Sequence, residues 1–404
     1  MNNASQDPDR RVQLKIGYLC DFDPRDPGPY SGGNQRIFNA LSANVDQISI
    51  LDTSWGVAEP VSRRIGKMSH DVQLRLRWRA QLALSPVIAR HIERQIAKSD
   101  INVLFCAYSF QSLAAVRLPQ GVISAFTCDA TPTIYKQSPV GQSFKSFFSA
   151  SRLMDPLITA AERATFRRTD LLLWASDWLN DAAISLYGLT PDQSKVLNWG
   201  ANIPPPEAEK TSLDIAAGEP LRLLFVGRDW VAKGGPTTVA LLRCLRQRGV
   251  DARLSVVGTT PPPEELDPAI DVYPYLDKSD PEQLAIFTHL FRTAHFMVML
   301  SFESYGFAYC EASAYGVPSL ALRVAGVPVE EGVNGHRFDT GTDPETLADC
   351  IMPYLSHPAD YAALRSSSRA FYEDRLNWDA WGRHAADLLR TKLLQHRKTN
   401  PTAG

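Results

Sequence analysis

The chain alternates short apolar runs with longer segments whose apolar positions recur every three or four residues. Such alternation predicts βα units and parallel sheets with helices on both faces. In the first half the runs predict strands at Lys15–Leu19, Ile48–Leu51, Val103–Ala107, Val122–Thr127, Leu171–Trp174 and Lys195–Asn198. In the second half they predict strands at Leu221–Val226, Arg253–Val257, Val272–Tyr275, Phe296–Leu300 and Ser319–Leu322. Between the halves, Asn202-Ile-Pro-Pro-Pro-Glu-Ala-Glu-Lys-Thr-Ser, running on to Gly218-Glu-Pro220, is too rich in proline for regular structure. The expected organisation is α/β, with two doubly wound, Rossmann-like domains at residues 1–202 and 221–374 and a linker at 203–220. Beyond them, Trp378–His396 carries Trp378, Trp381, Ala385, Leu388 and Leu389 on one face and predicts an amphipathic helix within 375–404.

Composition narrows the function classes. At 404 residues the chain suits two cores better than one. A formal net charge of −2 gives no sign of a nucleic-acid partner. The six cysteines (20, 106, 128, 244, 310 and 350) have no paired spacing, which fits reduced thiols better than a disulfide framework or a zinc site. The first ten residues lack the apolar stretch of a signal peptide, and no apolar run reaches 18 residues, so a cytoplasmic location is expected.

The densest chemistry follows two strand-to-helix junctions. Glu303-Ser-Tyr-Gly-Phe-Ala-Tyr-Cys-Glu311 comes after the apolar run His295–Leu300. Its first glutamate should leave a strand's C-terminal end, and its second should lie about two turns into the next helix. Ligands of open α/β sheets bind at that edge, where two carboxylates can accept bonds from sugar or ribose hydroxyls. Upstream, Leu221–Val226 runs into Gly227-Arg228-Asp229-Trp-Val-Ala-Lys233-Gly234-Gly235, with a helix beginning near Pro236. Arginine's bidentate fork and lysine's point charge on a glycine-bearing loop suit a diphosphate.

Together these residues resemble the family 4 glycosyltransferases, retaining, nucleotide-sugar-dependent enzymes of GT-B architecture. Further matches are Trp199-Gly200-Ala201-Asn202, Ala325-Gly326-Val327-Pro328, Gly332-Val-Asn334-Gly335 and the Trp378–Trp381 helix. The resemblance implies two domains facing a cleft, the C-terminal helix crossing back onto the first domain, and a co-substrate rather than a cofactor. It implies transfer of a hexosyl unit from a UDP- or GDP-sugar to a glycan, lipid-linked or small-molecule acceptor, with retention of anomeric configuration, in polysaccharide or glycoconjugate biosynthesis. Arg228, Lys233, Glu303 and Asp129 are the implied catalytic set. Gly32, Gly33, Gly227, Tyr275, Leu276, Tyr305, Gly306, Phe307 and Glu311 join them around the donor. Glu311 would hold the ribose and Glu303 the donor sugar. Two other readings stay open, a catalytically idle GT-B subunit that partners another transferase and a GT-B sugar-nucleotide epimerase. A dinucleotide oxidoreductase is excluded, because residues 20–34 do not supply Gly-x-Gly-x-x-Gly.

The remaining candidates lie in the first half. Gly32-Gly33 precedes a helix expected from about Gln35 and can offer free amide groups to an anion. Asp21-Phe-Asp23 has the form of a metal-binding triplet of another transferase fold, but it lies in the wrong domain for the donor, and no metal is assigned. Many relatives carry a histidine after the fourth strand; here no histidine occurs between His91 and His289. Asp129 is the polar stand-in, as a sugar-hydroxyl acceptor or weak base, with an N-cap role as the alternative. Arg63–Lys98 holds nine Lys and Arg against Asp71 and Glu93, a net of +7. Ser85-Pro86 is read there as a helix start, with Ile88, Ile92 and Ile96 opposite Arg90, Arg94 and Lys98. Such a helix either lies on anionic lipid or packs its isoleucines into the core.

Overall fold

The computed structural model describes residues 12–52, 54–139, 141, 153–207, 214–215 and 218–399. The first ten residues and parts of the linker (208–213 and 216–217) lie outside them. Two six-stranded sheets, parallel throughout, organise the chain. The first has the order β2-β1-β3-β4-β5-β6, built from β1 Lys15–Leu19, β2 Gln47–Ile50, β3 Val103–Ala107, β4 Ile123–Cys128, β5 Leu171–Trp174 and β6 Ser194–Val196. The second has the order β12-β11-β10-β7-β8-β9, built from β7 Leu221–Val226, β8 Ala252–Val257, β9 Ile270–Tyr273, β10 Phe296–Met299, β11 Ser319–Leu322 and β12 Gly335–Phe338. Strands β3, β4, β5, β10 and β11 are buried along their whole length. Covered on both faces by helices, they show as unbroken apolar runs.

The helices around the first sheet are α1 Gly33–Ser42, α2 Glu59–Ile65, α3 His70–Ala83, α4 Ser85–Ile96, α5 Phe110–Leu113, α6 Pro132–Gln137, α7 Asp155–Arg168 and α8 Asp177–Tyr187. Around the second are α9 Gly235–Gln247, α10 Pro281–Thr293, α11 Phe307–Ala314, α12 Pro344–Ser356 and α13 Pro358–Asp374. The last helix, α14 Trp378–Thr399, returns to the first domain. Its Trp381 is fully buried edge-on to Phe105 of β3, at 6.3 Å between ring centres. Arg390 donates to the Asn44 carbonyl at 2.9 Å, and Lys392 pairs with Asp192 at 2.7 Å. Gly382 lets the helix lie close on α1, since a Cβ there would stand 2.5 Å from the Ala40 carbonyl oxygen.

Several sequence expectations need correction. Strand β12 was not anticipated, because His336 and Arg337 sit in an edge strand that is only partly buried and carries no apolar run. Strand β9 ends at Tyr273, which leaves Tyr275 in an exposed loop. Helix α1 begins at Gly33 rather than Gln35. Glu311 lies little more than one turn into its helix, because Gly306 takes φ 93° and starts α11 at Phe307. Ser85 does not cap α4; Leu84 holds that position and Ser85 is buried. Ile88, Ile92 and Ile96 are core residues, at 2%, 2% and 3% exposure. Among the described residues no helix is long and apolar enough to cross a membrane.

The return of α14 generates a stability prediction. Trp381→Ala removes a fully buried aromatic at the junction of α14 and β3 and should cost about 3–5 kcal/mol. Denaturant unfolding checks it, and a loss below about 1 kcal/mol would show that α14 adds little to the first domain.

Candidate functional site

Ligands of doubly wound sheets sit at the strand ends where the strand order reverses. That reversal falls between β1 and β3 in the first sheet and between β7 and β10 in the second. Loops from both reversals line one cleft of ≈ 460 Å³. Tyr305 holds the two sides together by donating its hydroxyl to the Trp199 carbonyl at 2.6 Å.

The second domain supplies a polar wall. Lys233 lays its stem on Gly227, where a Cβ would come within 2.6 Å of the lysine Cγ. Its Nζ pairs with Glu303, which also accepts from Ser301. Arg228 has no ion pair or hydrogen bond among the described residues, and its guanidinium stands 5.9 Å from the centre of the Tyr275 ring. Glu311 is 2% exposed and meets Lys278 Nζ at 2.5 Å, while the same Nζ lies 4.3 Å from the Phe287 ring centre. Tyr305, Gly306 and Phe307 bring the N-terminus of α11 to the cleft. A free arginine, a lysine and a helix N-terminus suit an anion, and a buried glutamate beside them suits hydroxyl groups.

The first domain supplies a more aromatic wall of Tyr30, Ser31, Tyr108, Asp129 and Trp199. Gly32 (φ 85°) and Gly33 stand just behind it at the start of α1. A Cβ on Gly33 would fall 2.3 Å from the Tyr108 hydroxyl and 3.1 Å from Phe307, so a side chain there would push the walls apart. Asp129 accepts from Ser304 Oγ at 2.6 Å across the domain boundary. Burial raises the Asp129 pKa, the Ser304 bond opposes the rise, and the nearby Glu303 charge adds to it. Its alternative role as an N-cap is overturned, because Thr131 caps α6 by accepting from Ile134 N–H.

Nine of the expected residues line the cleft: Asp129, Gly227, Arg228, Lys233, Glu303, Tyr305, Gly306, Phe307 and Glu311. Tyr275, 59% exposed, reaches the site only through Arg228, and Leu276 packs on the core instead of lining the cleft. Lys278, Tyr30 and Tyr108 were missed. Tyr108 directly follows β3 at the strand-order reversal, so the topological rule could have found it. Asp23 is taken up by Arg25 at 2.6 Å, and Asp21 accepts from Gln81, Gln111 and Ser112. Among the described residues no three His, Cys, Asp or Glu gather as a metal set.

Asp129 generates a pH prediction with a definite sign. Its folded-state pKa lies above the unfolded one, so stability falls as pH rises from the unfolded pKa through the folded one, where Asp129 ionises. Asp129→Asn keeps an acceptor for Ser304. It should melt at or above the wild-type temperature at pH 7, with the advantage shrinking as pH falls through the folded-state pKa and gone below about 3.9. A lower melting temperature at pH 7 would contradict this.

Comparison with known proteins fits this geometry. Residues 220–357 match the family described as Glycosyl transferases group 1. Over 390 residues the chain is 29% identical to a GDP-mannose-dependent alpha-(1-6)-phosphatidylinositol monomannoside mannosyltransferase of Mycolicibacterium smegmatis, covering 91% of this chain and 96% of the relative. A D-inositol 3-phosphate glycosyltransferase of Streptomyces coelicolor is 29% identical over 168 residues, 41% of this chain and 33% of the relative. Among solved structures, a sucrose-phosphate synthase from Thermosynechococcus elongatus superposes with a TM-score of 0.62 at 18% identity, covering 95% of this chain and 100% of that one. By fold, motif and relatives the chain is a glycosyltransferase of GT-B architecture that resembles family 4.

Proposed function

We propose that this glycosyltransferase moves a hexosyl unit from a nucleoside-diphosphate sugar to a glycan or lipid-linked acceptor, with retention of anomeric configuration. The carrying observation is the second-domain wall, where Arg228, unpaired among the described residues, lines the cleft with the Lys233–Glu303 pair while Glu311 lies deeper with Lys278. Arg228, Lys233 and the N-termini of α1 and α11 take the diphosphate. They stabilise charge growing on the departing β-phosphate oxygen, usually the largest catalytic contribution. Glu311 accepts from the ribose hydroxyls and Glu303 from those of the sugar. The leaving phosphate takes the acceptor's proton, so the reaction does not need a histidine. No metal or cofactor takes part in this scheme. The relative whose name specifies GDP-mannose favours a GDP-sugar donor, and its lipid substrate favours a lipid-linked acceptor.

A lipid-linked acceptor agrees with the surface beside the first-domain wall. The isoleucines of α4 are core, but Val61, Met68, Val72 and Leu76 of α2, α3 and their connection are 39–43% exposed, and Val57 is 82% exposed. Arg63, Arg64 and Lys67 stand exposed among them. This patch makes peripheral contact with an anionic membrane, each basic residue adding about 1 kcal/mol near the surface.

Three outcomes test the proposal. Arg228→Ala and Lys233→Ala should each lower turnover roughly 10²–10³-fold; near-normal turnover in both folded variants would remove this loop from the diphosphate site. Glu311→Ala should mainly weaken nucleoside-diphosphate binding, whereas Glu303→Ala should mainly lower turnover; unchanged calorimetric affinity in Glu311→Ala sinks the ribose role. Arg63, Arg64 and Lys67 changed together to Glu should abolish flotation with phosphatidylglycerol vesicles at low salt, where screening is least. Failure of the wild type to float rules out the membrane contact.

A further inference from the structure

Left-handed backbone in a non-glycine residue is uncommon, and in a bulky one it is an outlier. Among the described residues four non-glycines adopt it: Tyr30 (φ 55°), Ser31 (φ 54°), Tyr108 (φ 61°) and Ala325 (φ 45°). Three of the four meet at one place, the first-domain wall of the cleft. Strained residues persist where the surroundings hold them, and they cluster at ligand sites and switch segments.

The side chains there form a closed stack. Tyr30 lies flat on Tyr108, with ring centres 3.8 Å apart and planes within 3°. Tyr108 in turn leans on Trp199 at 5.3 Å, and Trp199 stacks on Phe307 of the opposite wall at 6.0 Å. The Tyr108 hydroxyl is buried without a hydrogen-bond partner. Burial holds its pKa well above the usual tyrosine range, so it stays a proton donor. A buried donor left unpaired is costly. Tyr30, by contrast, is 38% exposed on a turn that the Asn202 side chain grips by donating to the Ser31 carbonyl at 2.7 Å.

Group transfer needs room for two substrates. Arg228, Lys233 and the N-terminus of α11 put most of the diphosphate chemistry on the second-domain wall, which leaves the Tyr108 face, its hydroxyl and Asp129 for the acceptor. That face is covered by Tyr30.

We propose that Tyr30 is a gate that occupies the acceptor subsite on the Tyr108 ring, and that the left-handed Tyr30–Gly32 turn lets it swing away when a sugar or cyclitol ring takes its place. The incoming ring sets its C–H face on Tyr108 and a hydroxyl against the unpaired Tyr108 O–H. Asp129 accepts from a second hydroxyl. This rests on the cleft being a two-substrate transfer site.

Ligand-detected NMR titration tests the gate with myo-inositol and methyl α-D-mannopyranoside as ring probes and open-chain mannitol as control, each with and without GDP. Tyr30→Gly removes the covering ring and suits the left-handed backbone. It should bind the ring probes about 2- to 10-fold more tightly than wild type, the range for one aromatic stack no longer competing. Adding Tyr108→Ala should erase that gain, and mannitol should show none. Unchanged, weaker or undetectable ring binding in Tyr30→Gly overturns the gate, as does a gain that survives Tyr108→Ala. GDP binding separates this from the donor reading: loss of GDP binding in wild type defeats the donor site, whereas the ring titrations without GDP still decide the gate.

Discussion

Two crevices, one at each sheet's reversal of strand order, must face each other for this cleft to exist. The facing is fixed by a small cluster of cross-domain bonds. Tyr305 donates to the Trp199 carbonyl at 2.6 Å and Ser304 to Asp129 at 2.6 Å, and at the start of the returning helix α14 Trp378 Nε1 donates to Asn202 at 3.3 Å. Each is worth only about 1 kcal/mol net, but all converge on the place where the chain passes between domains. Two glycines let the backbones come this close. A Cβ on Gly200 would stand 2.4 Å from Trp378 N, and one on Gly326 would stand 2.5 Å from Ser176 Oγ of the first domain. The Trp199-Gly200 and Ala325-Gly326 motifs are therefore packing requirements of the interface as well as family markers.

Within that frame the electrostatics are arranged in exchangeable pairs. Lys233 neutralises Glu303, Lys278 neutralises the buried Glu311, and Arg228 stands without an acid among the described residues. Without partners the carboxylates, Glu311 above all, would pay a heavy desolvation penalty. A diphosphate arriving beside Arg228 and Lys233 can draw the lysine toward its oxygens, which frees Glu303 for sugar hydroxyls. The same groups thus satisfy one another and can become the binding set for a diphosphate sugar.

Much of this was legible in the chain. The apolar runs located the strands, and β1, β3, β5, β7 and β11 have the predicted bounds, because buried parallel strands need continuous hydrophobicity. The Arg228, Lys233, Glu303 and Glu311 spacing placed those residues at β7 and β10 because strand-loop-helix junctions are local. What stayed hidden depends on contacts distant in sequence. Lys278 becomes part of the site only through Glu311, 33 residues on. Tyr108 matters through Tyr30 and Gly33, and Asp129 proved to be a cross-domain acceptor only once Ser304, 175 residues away, was placed beside it. The edge strand β12 escaped notice because an edge needs no apolar run.

Whether the cleft is a nucleoside-diphosphate site is measured most directly by thermal unfolding with GDP, UDP and ADP, each near 100 times its dissociation constant. One of the three should stabilise the folded protein by about 2.7 kcal/mol, and Arg228→Ala, which removes a guanidinium with no ion pair or hydrogen bond among the described residues, should lose most of that gain. Unchanged melting with all three nucleotides, or an equal gain in Arg228→Ala, would contradict the assignment.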